Sequence, residues 1–299
     1  AYWLSDTYYN LGRYEDAEKG YDGFIKTNPA SPLVPEARYG LAWTYDKLGR
    51  TAEAAVLFRK LAEEYPGGPH APDSWYKAGE YSYKSKDYED VVAAFENYLR
   101  LSPPGGLYAD ANYQMGVALS ELGRADAAVS AFSAVEDAGG PLAAPAALKA
   151  AGLLEKGGRG EDAIGHYQTA ATDEGYKGEA LLGKGRTLLG MGRYGDALTA
   201  LKSSLELPAE TAARAEAYCL SGDAGFGQAS YKDAIIDYTK CQVAGDPMFA
   251  GRALAGIAAC YDALGEKEKA LGAYRKYMET YPDGDKAGEA GAALKRLGG

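Results

Sequence analysis

Apolar side chains recur along this chain with a long and regular period. A glycine, or a residue in its place, is followed five residues later by a small apolar residue and nine later by a large one. The eight turn positions are Gly12, Gly49, Lys86, Gly123, Gly158, Gly192, Ala229 and Gly265. The small residues are Ala17, Ala54, Val91, Ala128, Ala163, Ala197, Ala234 and Ala270, and the large ones are Tyr21, Phe58, Phe95, Phe132, Tyr167, Leu201, Tyr238 and Tyr274. Successive turns lie 34 to 37 residues apart, which predicts a solenoid.

The second repeat shows how each unit is built. Apolar residues at helical spacing end at Gly49, and a second apolar stripe runs from Ala54 to Leu61 before Pro66. This pattern predicts two antiparallel helices around a short turn. A small residue lies seven positions before every turn, and we expect the large residue of the second helix to pack over it. These small residues are Ser5, Ala42, Gly79, Gly116, Ala151, Gly185, Gly222 and Ala258.

These positions resemble the tetratricopeptide repeat. Further matches are a tyrosine two residues after several turns (Tyr14, Tyr88, Tyr194, Tyr231), Trp75 in a first helix, and the closing prolines Pro29, Pro66, Pro103 and Pro282. Lys86, Val91 and Ala229 depart from the pattern. The resemblance implies one all-α solenoid over residues 1–299, a right-handed superhelix of about eight helix-turn-helix repeats with a C-terminal cap helix. We predict the repeats at 1–29, 35–66, 72–103, 107–136, 141–171, 175–207, 211–242 and 248–282, and the cap helix at 285–297.

The linkers between some repeats are rich in proline and glycine, as in NPASPLVPEA and YPGGPHAPDS. In this they are similar to bacterial cell-envelope proteins of the family, so we expect a periplasmic or envelope location, with the cytoplasm as the alternative. The first residues show no signal-peptide pattern. Because the chain lacks an initiating Met and begins inside a helical pattern, we expect a fragment or a processed form.

Charge narrows the range of partners. The chain has 32 Lys+Arg against 42 Asp+Glu, a net charge of -10. This balance disfavours nucleic acid, whose phosphates require clustered cations, and anionic membrane surfaces. No apolar run reaches the roughly 18 residues of a membrane helix, so we expect no direct membrane insertion. The oligomeric state is left open.

The residues that carry chemistry form no catalytic pattern. His70 and His166 are too far apart in a solenoid to share a site, and we predict no catalytic residue, metal or cofactor. Cys219, Cys241 and Cys260 are too few and too widely spaced for a disulfide framework or a zinc site. We expect them to be small buried residues, and their odd number disfavours an oxidising compartment.

A stripe of aromatic and acidic residues is the strongest candidate for a binding site. In the resembling family, one stripe of the first helices faces the concave groove. In the N-terminal half that stripe consists of Tyr2, Asp6, Tyr9, Tyr39, Trp43, Asp46, Tyr76, Glu80, Tyr83 and Tyr113. Further along it fades to Leu148, Gly152, Leu182, Arg186, Cys219, Asp223, Ala255 and Ala259.

Exposed rings interleaved with carboxylates suit a recognition surface. We therefore interpret the chain as a non-enzymatic scaffold that binds an extended apolar or basic peptide, or another protein, in the N-terminal half of the groove. In the alternative interpretation of the stripe, the rings pack against neighbouring helices and only line the groove. Three other functions stay open: a glycan-binding module of the envelope, a structural assembly module, and the regulatory arm of a larger protein.

Overall fold

The computed structural model describes residues 1–102 and 105–298, which form 17 α-helices and no strand. The helices are α1 (Tyr2–Asn10), α2 (Tyr14–Thr27), α3 (Val34–Lys47), α4 (Thr51–Glu64), α5 (Ala71–Ser85), α6 (Tyr88–Leu101), α7 (Tyr108–Glu121), α8 (Ala125–Ala138), α9 (Ala143–Lys156), α10 (Gly160–Ala170), α11 (Lys177–Gly190), α12 (Tyr194–Leu205), α13 (Thr211–Gly227), α14 (Tyr231–Ala244), α15 (Pro247–Ala263), α16 (Lys267–Thr280) and α17 (Ala287–Leu297). The prediction of an all-α fold built from helix-turn-helix repeats is confirmed.

The chain divides into two compact units, Ala1–Ala146 (unit 1) and Ala147–Gly299 (unit 2). Unit 1 holds the helices of the first four predicted repeats, and most of α9 lies in unit 2 with all later helices. Helix α17 packs on α16 where the cap helix was predicted. One continuous solenoid over the whole chain stays a prediction, and the predicted closing residue Pro103 lies outside the described residues.

The eight turns share one backbone conformation. Each turn position has a positive φ, between 56° and 74°, including the two that are not glycine, Lys86 and Ala229. This left-handed conformation ends a helix at little cost for glycine, whereas a Cβ adds about 1–2 kcal/mol. Lys86 and Ala229 are therefore departures in sequence but not in structure.

Replacing Ala229 by glycine is expected to raise the free energy of unfolding by about 1 kcal/mol, because it removes the Cβ from a left-handed position. Gly192→Ala, at another turn of unit 2 with φ 73°, should lower it by a similar amount. Urea denaturation followed by circular dichroism compares both variants with the parent chain. Equal midpoints for all three proteins would contradict this account of the turns.

Each repeat packs a large side chain of its second helix over a small residue of its first. All eight small residues of the second helices are fully buried, and all eight large ones are buried. A Cβ added to Gly79 would lie 2.8 Å from the ring of Phe95, and one on Gly116 would lie 2.8 Å from the ring of Phe132. The paired helices thus approach so closely that these positions have no room for a side chain, which confirms the predicted packing.

The cysteines correct one expectation. All three are fully buried, as predicted, but Cys219 of α13 and Cys241 of α14 form a disulfide, with their Cα atoms 5.4 Å apart. The short turn between the two helices folds residues that are 22 positions apart onto facing sides of one repeat. Sequence spacing alone did not reveal this, because the pairing depends on which faces the helices turn toward each other. Cys260 remains a free buried thiol.

Candidate functional site

The ten residues of the predicted stripe all lie in unit 1, on the first helices of four successive repeats. Helix α1 carries Tyr2, Asp6 and Tyr9; α3 carries Tyr39, Trp43 and Asp46; α5 carries Tyr76, Glu80 and Tyr83; and α7 carries Tyr113. Within each helix these residues are spaced by three or four positions, so they share one face. Helix α1 contacts α3, and α5 contacts α7, which places the faces of neighbouring repeats side by side.

The rings of the stripe are less exposed than the pattern predicts. Nine of the ten residues are half-buried, and Tyr76 is buried, with 6% of its surface exposed. Five of the seven rings, those of Tyr2, Tyr39, Trp43, Tyr76 and Tyr113, rest on the large rings of the second helices. Trp43 meets Phe58 edge-on with ring centroids 5.5 Å apart, and Tyr113 meets Phe132 in the same way at 5.8 Å. The stripe is therefore the outer layer of the core as well as a surface.

Two tyrosine hydroxyls of the stripe donate hydrogen bonds to acids of the next repeat. The Tyr39 hydroxyl donates to Asp73, and the Tyr76 hydroxyl donates to Asp110, in each case 34 residues further along the chain. Burial, together with the bond to Asp73, raises the pKa of Tyr39 to about 12, and burial and Asp110 likewise raise the pKa of Tyr76. These bonds tie successive repeats together.

Glu36 stands 34 residues after Tyr2, as Asp73 and Asp110 stand after their tyrosines. Its Oε2 atom is buried and has no hydrogen-bond partner among the described residues. Burial and the nearby carboxylates of Asp6 and Glu36 raise the pKa of Tyr2. Sequence reasoning missed this row of acids, although one acid follows each of these tyrosines at the same interval.

The carboxylates of the stripe differ in how they are occupied. Glu80 accepts hydrogen bonds from Lys77 and Lys84, each at 2.8 Å, and the Nζ atom of Lys77 lies 5.1 Å from the centre of the Trp43 ring. Asp6 accepts a bond of 3.1 Å from the Tyr21 hydroxyl. Glu80 is thus neutralised by two cations within its own helix, whereas Asp6 has a neutral partner.

Two neighbours of the stripe were not predicted to belong to it. His70 stacks on Tyr39 with ring centroids 4.1 Å apart. Tyr81 lies beside Asp46, and burial together with a hydrogen bond to Asp46 raises its pKa. Both sit between the rows of neighbouring repeats, which is why periodicity within one helix does not identify them.

The same face of the first helices is ionic in unit 2. Arg186 pairs with Glu216 of the next repeat at 2.8 Å and with Glu155 of the preceding one at 3.4 Å. Asp223 accepts hydrogen bonds from the Tyr238 hydroxyl and from Arg252. The predicted fading of aromatic residues is therefore a replacement of rings by ion pairs between repeats.

Among the described residues, no group of three or more His, Cys, Asp or Glu side chains could hold a metal ion. In that same part of the chain, none of the helices combines the length and the apolar character that crossing a membrane requires.

The repeat pattern and the helix pairs define a repeat protein of the solenoid class. The sequence profile of the tetratricopeptide repeat matches residues 4–69, 113–178 and 182–247, and a second profile of this repeat matches residues 252–284. The chain therefore belongs to the tetratricopeptide repeat family. Proteins built from these repeats bind other proteins or peptides and are generally non-enzymatic, so the repeats indicate a protein–protein interaction scaffold.

A curated relative matches a smaller part of the chain. Outer membrane protein assembly factor BamD of Xylella fastidiosa (strain 9a5c) is 31% identical over 78 residues, which is 26% of this chain and 27% of that protein. The match thus spans about a quarter of the relative's length.

Solved structures share the architecture. One is the complex of Naa15/Naa10 bound to HypK-THB, with a TM-score of 0.63 and 18% identity, covering 96% of this chain and 42% of that one. Another is the C-terminal part of a TPR repeat-containing protein from Cytophaga hutchinsonii, with a TM-score of 0.61 and 18% identity. The match covers 84% of this chain and 98% of that one. At these identities the likeness shows the fold alone.

Proposed function

We propose that the stripe binds an extended apolar or basic segment of another protein. The observation that carries the proposal is the row of half-buried rings that rest on core rings in unit 1, with Trp43 at its centre. Rings held in this way are rigid, and they offer a large contact area at a low entropic cost. Apolar side chains of an extended segment fit between them.

The charges of the stripe favour a basic rather than an acidic segment. Lys77 and Lys84 neutralise Glu80, and Lys47 lies 3.8 Å from Asp46, whereas Asp6 accepts a hydrogen bond from Tyr21 and forms no ion pair within the described residues. Glu36 adds a buried carboxylate oxygen that has no hydrogen-bond partner among the described residues. Carboxylates in such positions attract Lys and Arg and repel acidic segments. Tyr76, which is buried and bonded to Asp110, serves the fold rather than the ligand.

We also propose a location in the bacterial periplasm or cell envelope, with the cytoplasm as the alternative. Two observations support it: the similarity of 78 residues to an outer membrane protein assembly factor, and the Cys219–Cys241 disulfide. Structural disulfides persist in oxidising compartments such as the periplasm and are rare in the cytosol.

The binding proposal can be tested with a phage-displayed peptide library selected on the full chain. Selected peptides should be rich in apolar and basic residues. Their Kd should rise at least about tenfold for the Trp43→Ala, Tyr83→Ala double variant, because central aromatic residues dominate binding energy. Isothermal titration calorimetry with synthetic peptides measures this change.

The matched control is Phe226→Ala, which removes an exposed ring from α13 in unit 2 that contacts no ring of the stripe. Its Kd should equal that of the parent chain. The single variant Tyr83→Ala keeps the test valid if loss of Trp43 loosens the core. The Tyr83 ring stacks on no other ring within the described residues, so its removal should leave the core intact. Selection of acidic peptides, or an unchanged Kd for the double variant, would overturn the proposal.

A further inference from the structure

A cavity lies in unit 2, at the junction of α11, α12 and α13. A short linker, residues 206–210, joins the end of α12 at Leu205 to the start of α13 at Thr211. Glu210, in extended conformation, directly precedes the first residue of α13. The linker leaves a cavity of about 740 Å³ beside it.

Apart from the buried Ser204, the side chains that line the inside of this cavity are apolar. Leu182 and Ala217 are buried at its base, and its sides are formed by Leu205, Leu207, Pro208 and Ala213. Gly178 leaves the space open, because a Cβ added there would meet only Leu207, at 3.9 Å. A concave apolar site of this size is large enough for a bulky side chain.

The rim of the cavity is acidic. It carries Glu174, Glu179 and Glu210 against one cation, Arg214. Lys177 pairs with Glu174 at 2.8 Å, whereas Glu179 and Glu210 form no ion pair within the part of the chain that the structure describes. An apolar pocket with free carboxylates at its edge is complementary to an apolar side chain with a cation beside it.

We propose that this cavity receives a Leu-like or aromatic side chain from a protein segment in which Lys or Arg flanks that side chain. The apolar side chain enters between Leu182, Leu207 and Ala217, and the flanking cations face Glu179 and Glu210. This site lies wholly in unit 2, whereas the stripe lies wholly in unit 1.

The probe is the capped peptide acetyl-Gly-Lys-Leu-Lys-Gly-amide, with acetyl-Gly-Glu-Leu-Glu-Gly-amide as its charge-reversed counterpart. Each is titrated into the full chain labelled with ¹³C at alanine methyl groups, and the shifts of Ala213 and Ala217 report binding. The lysine peptide should bind at least about tenfold more tightly than the glutamate peptide, because its cations face Glu179 and Glu210 whereas the glutamates are repelled by them. A tenfold ratio of the two Kd values corresponds to about 1.4 kcal/mol. The difference should shrink in high salt.

Gly178→Leu is the deciding variant. It fills the cavity without a backbone clash, so the Kd of the lysine peptide should rise at least about tenfold. Gly165→Leu is the matched control, because Gly165 is an exposed residue of α10 with nothing within 4 Å of an added Cβ. Its Kd should stay unchanged.

A second variant separates charge from shape. Glu179→Gln with Glu210→Gln should abolish the preference for the lysine peptide while the apolar contact remains. Shifts that are equal for the two peptides, shifts that persist in Gly178→Leu, or no shift at millimolar peptide would each overturn the proposal. None of these results bears on the stripe, whose variants lie in unit 1.

Discussion

Loss of the Cys219–Cys241 disulfide is expected to lower the free energy of unfolding of unit 2 by about 3 kcal/mol. A link between residues 22 positions apart removes loop-closure entropy from the unfolded chain, and this loss of entropy corresponds to about 3 kcal/mol. The effect should be local, because repeats in a solenoid contact mainly their neighbours. Helices α13 and α14 should therefore open first.

Hydrogen exchange followed by mass spectrometry measures the local opening of these helices in the full chain, with and without reductant. Exchange of peptides from α13 and α14 should accelerate on reduction and in the Cys219→Ala, Cys241→Ala variant, while peptides from α1 to α6 should keep their rates. Cys260→Ala is the control. Burial raises the pKa of the Cys260 thiol to about 11, which keeps it protonated and unable to exchange with the disulfide. Faster exchange throughout unit 1 would contradict a local role.

The same disulfide discriminates between the two locations. In protein isolated from cells that naturally produce it, with thiols blocked at lysis, the linked peptide pair should be found if the chain resides in the envelope. Recovery of both cysteines as blocked thiols would favour the cytoplasm.

Gly79→Ala is expected to destabilise unit 1 by about 1–3 kcal/mol, although alanine is a better helix former than glycine by about 1 kcal/mol. The added Cβ would lie 2.8 Å from the Phe95 ring, so α5 and α6 would have to move apart. The cost of overpacking exceeds the gain in helix propensity because the interior is already close-packed.

Gly23→Ala is the control with the opposite sign. Gly23 lies inside α2, in the same unit, and an added Cβ there meets nothing within 4 Å. The free energy of unfolding of the Gly23→Ala variant should therefore exceed that of the parent chain by up to about 1 kcal/mol. Urea titration followed by circular dichroism compares the two variants, and Phe95→Leu in the Gly79→Ala background should recover part of the loss. Stabilisation by Gly79→Ala would show that the two helices are not in tight contact.

The amino-acid sequence predicted the local structure of each repeat. The turn positions, the small residues and the large residues recur at fixed intervals, and the structure places all of them as predicted, because each repeat is a short helix pair with mostly local contacts. Even Lys86 and Ala229 keep the turn conformation, since the surrounding helices determine the backbone there.

The tertiary structure decided which side chains meet across helices. The Cys219–Cys241 disulfide, the bond from Tyr39 to Asp73 and the cover of Lys77 over Trp43 all depend on the rotation of one helix against the next. Periodicity within a helix identifies a face but not its partner, because the partner is set by packing angle and side-chain rotamer. The sequence by itself therefore determined the repeats and the stripe, and only the packed helices decided how deeply the rings of the stripe are buried.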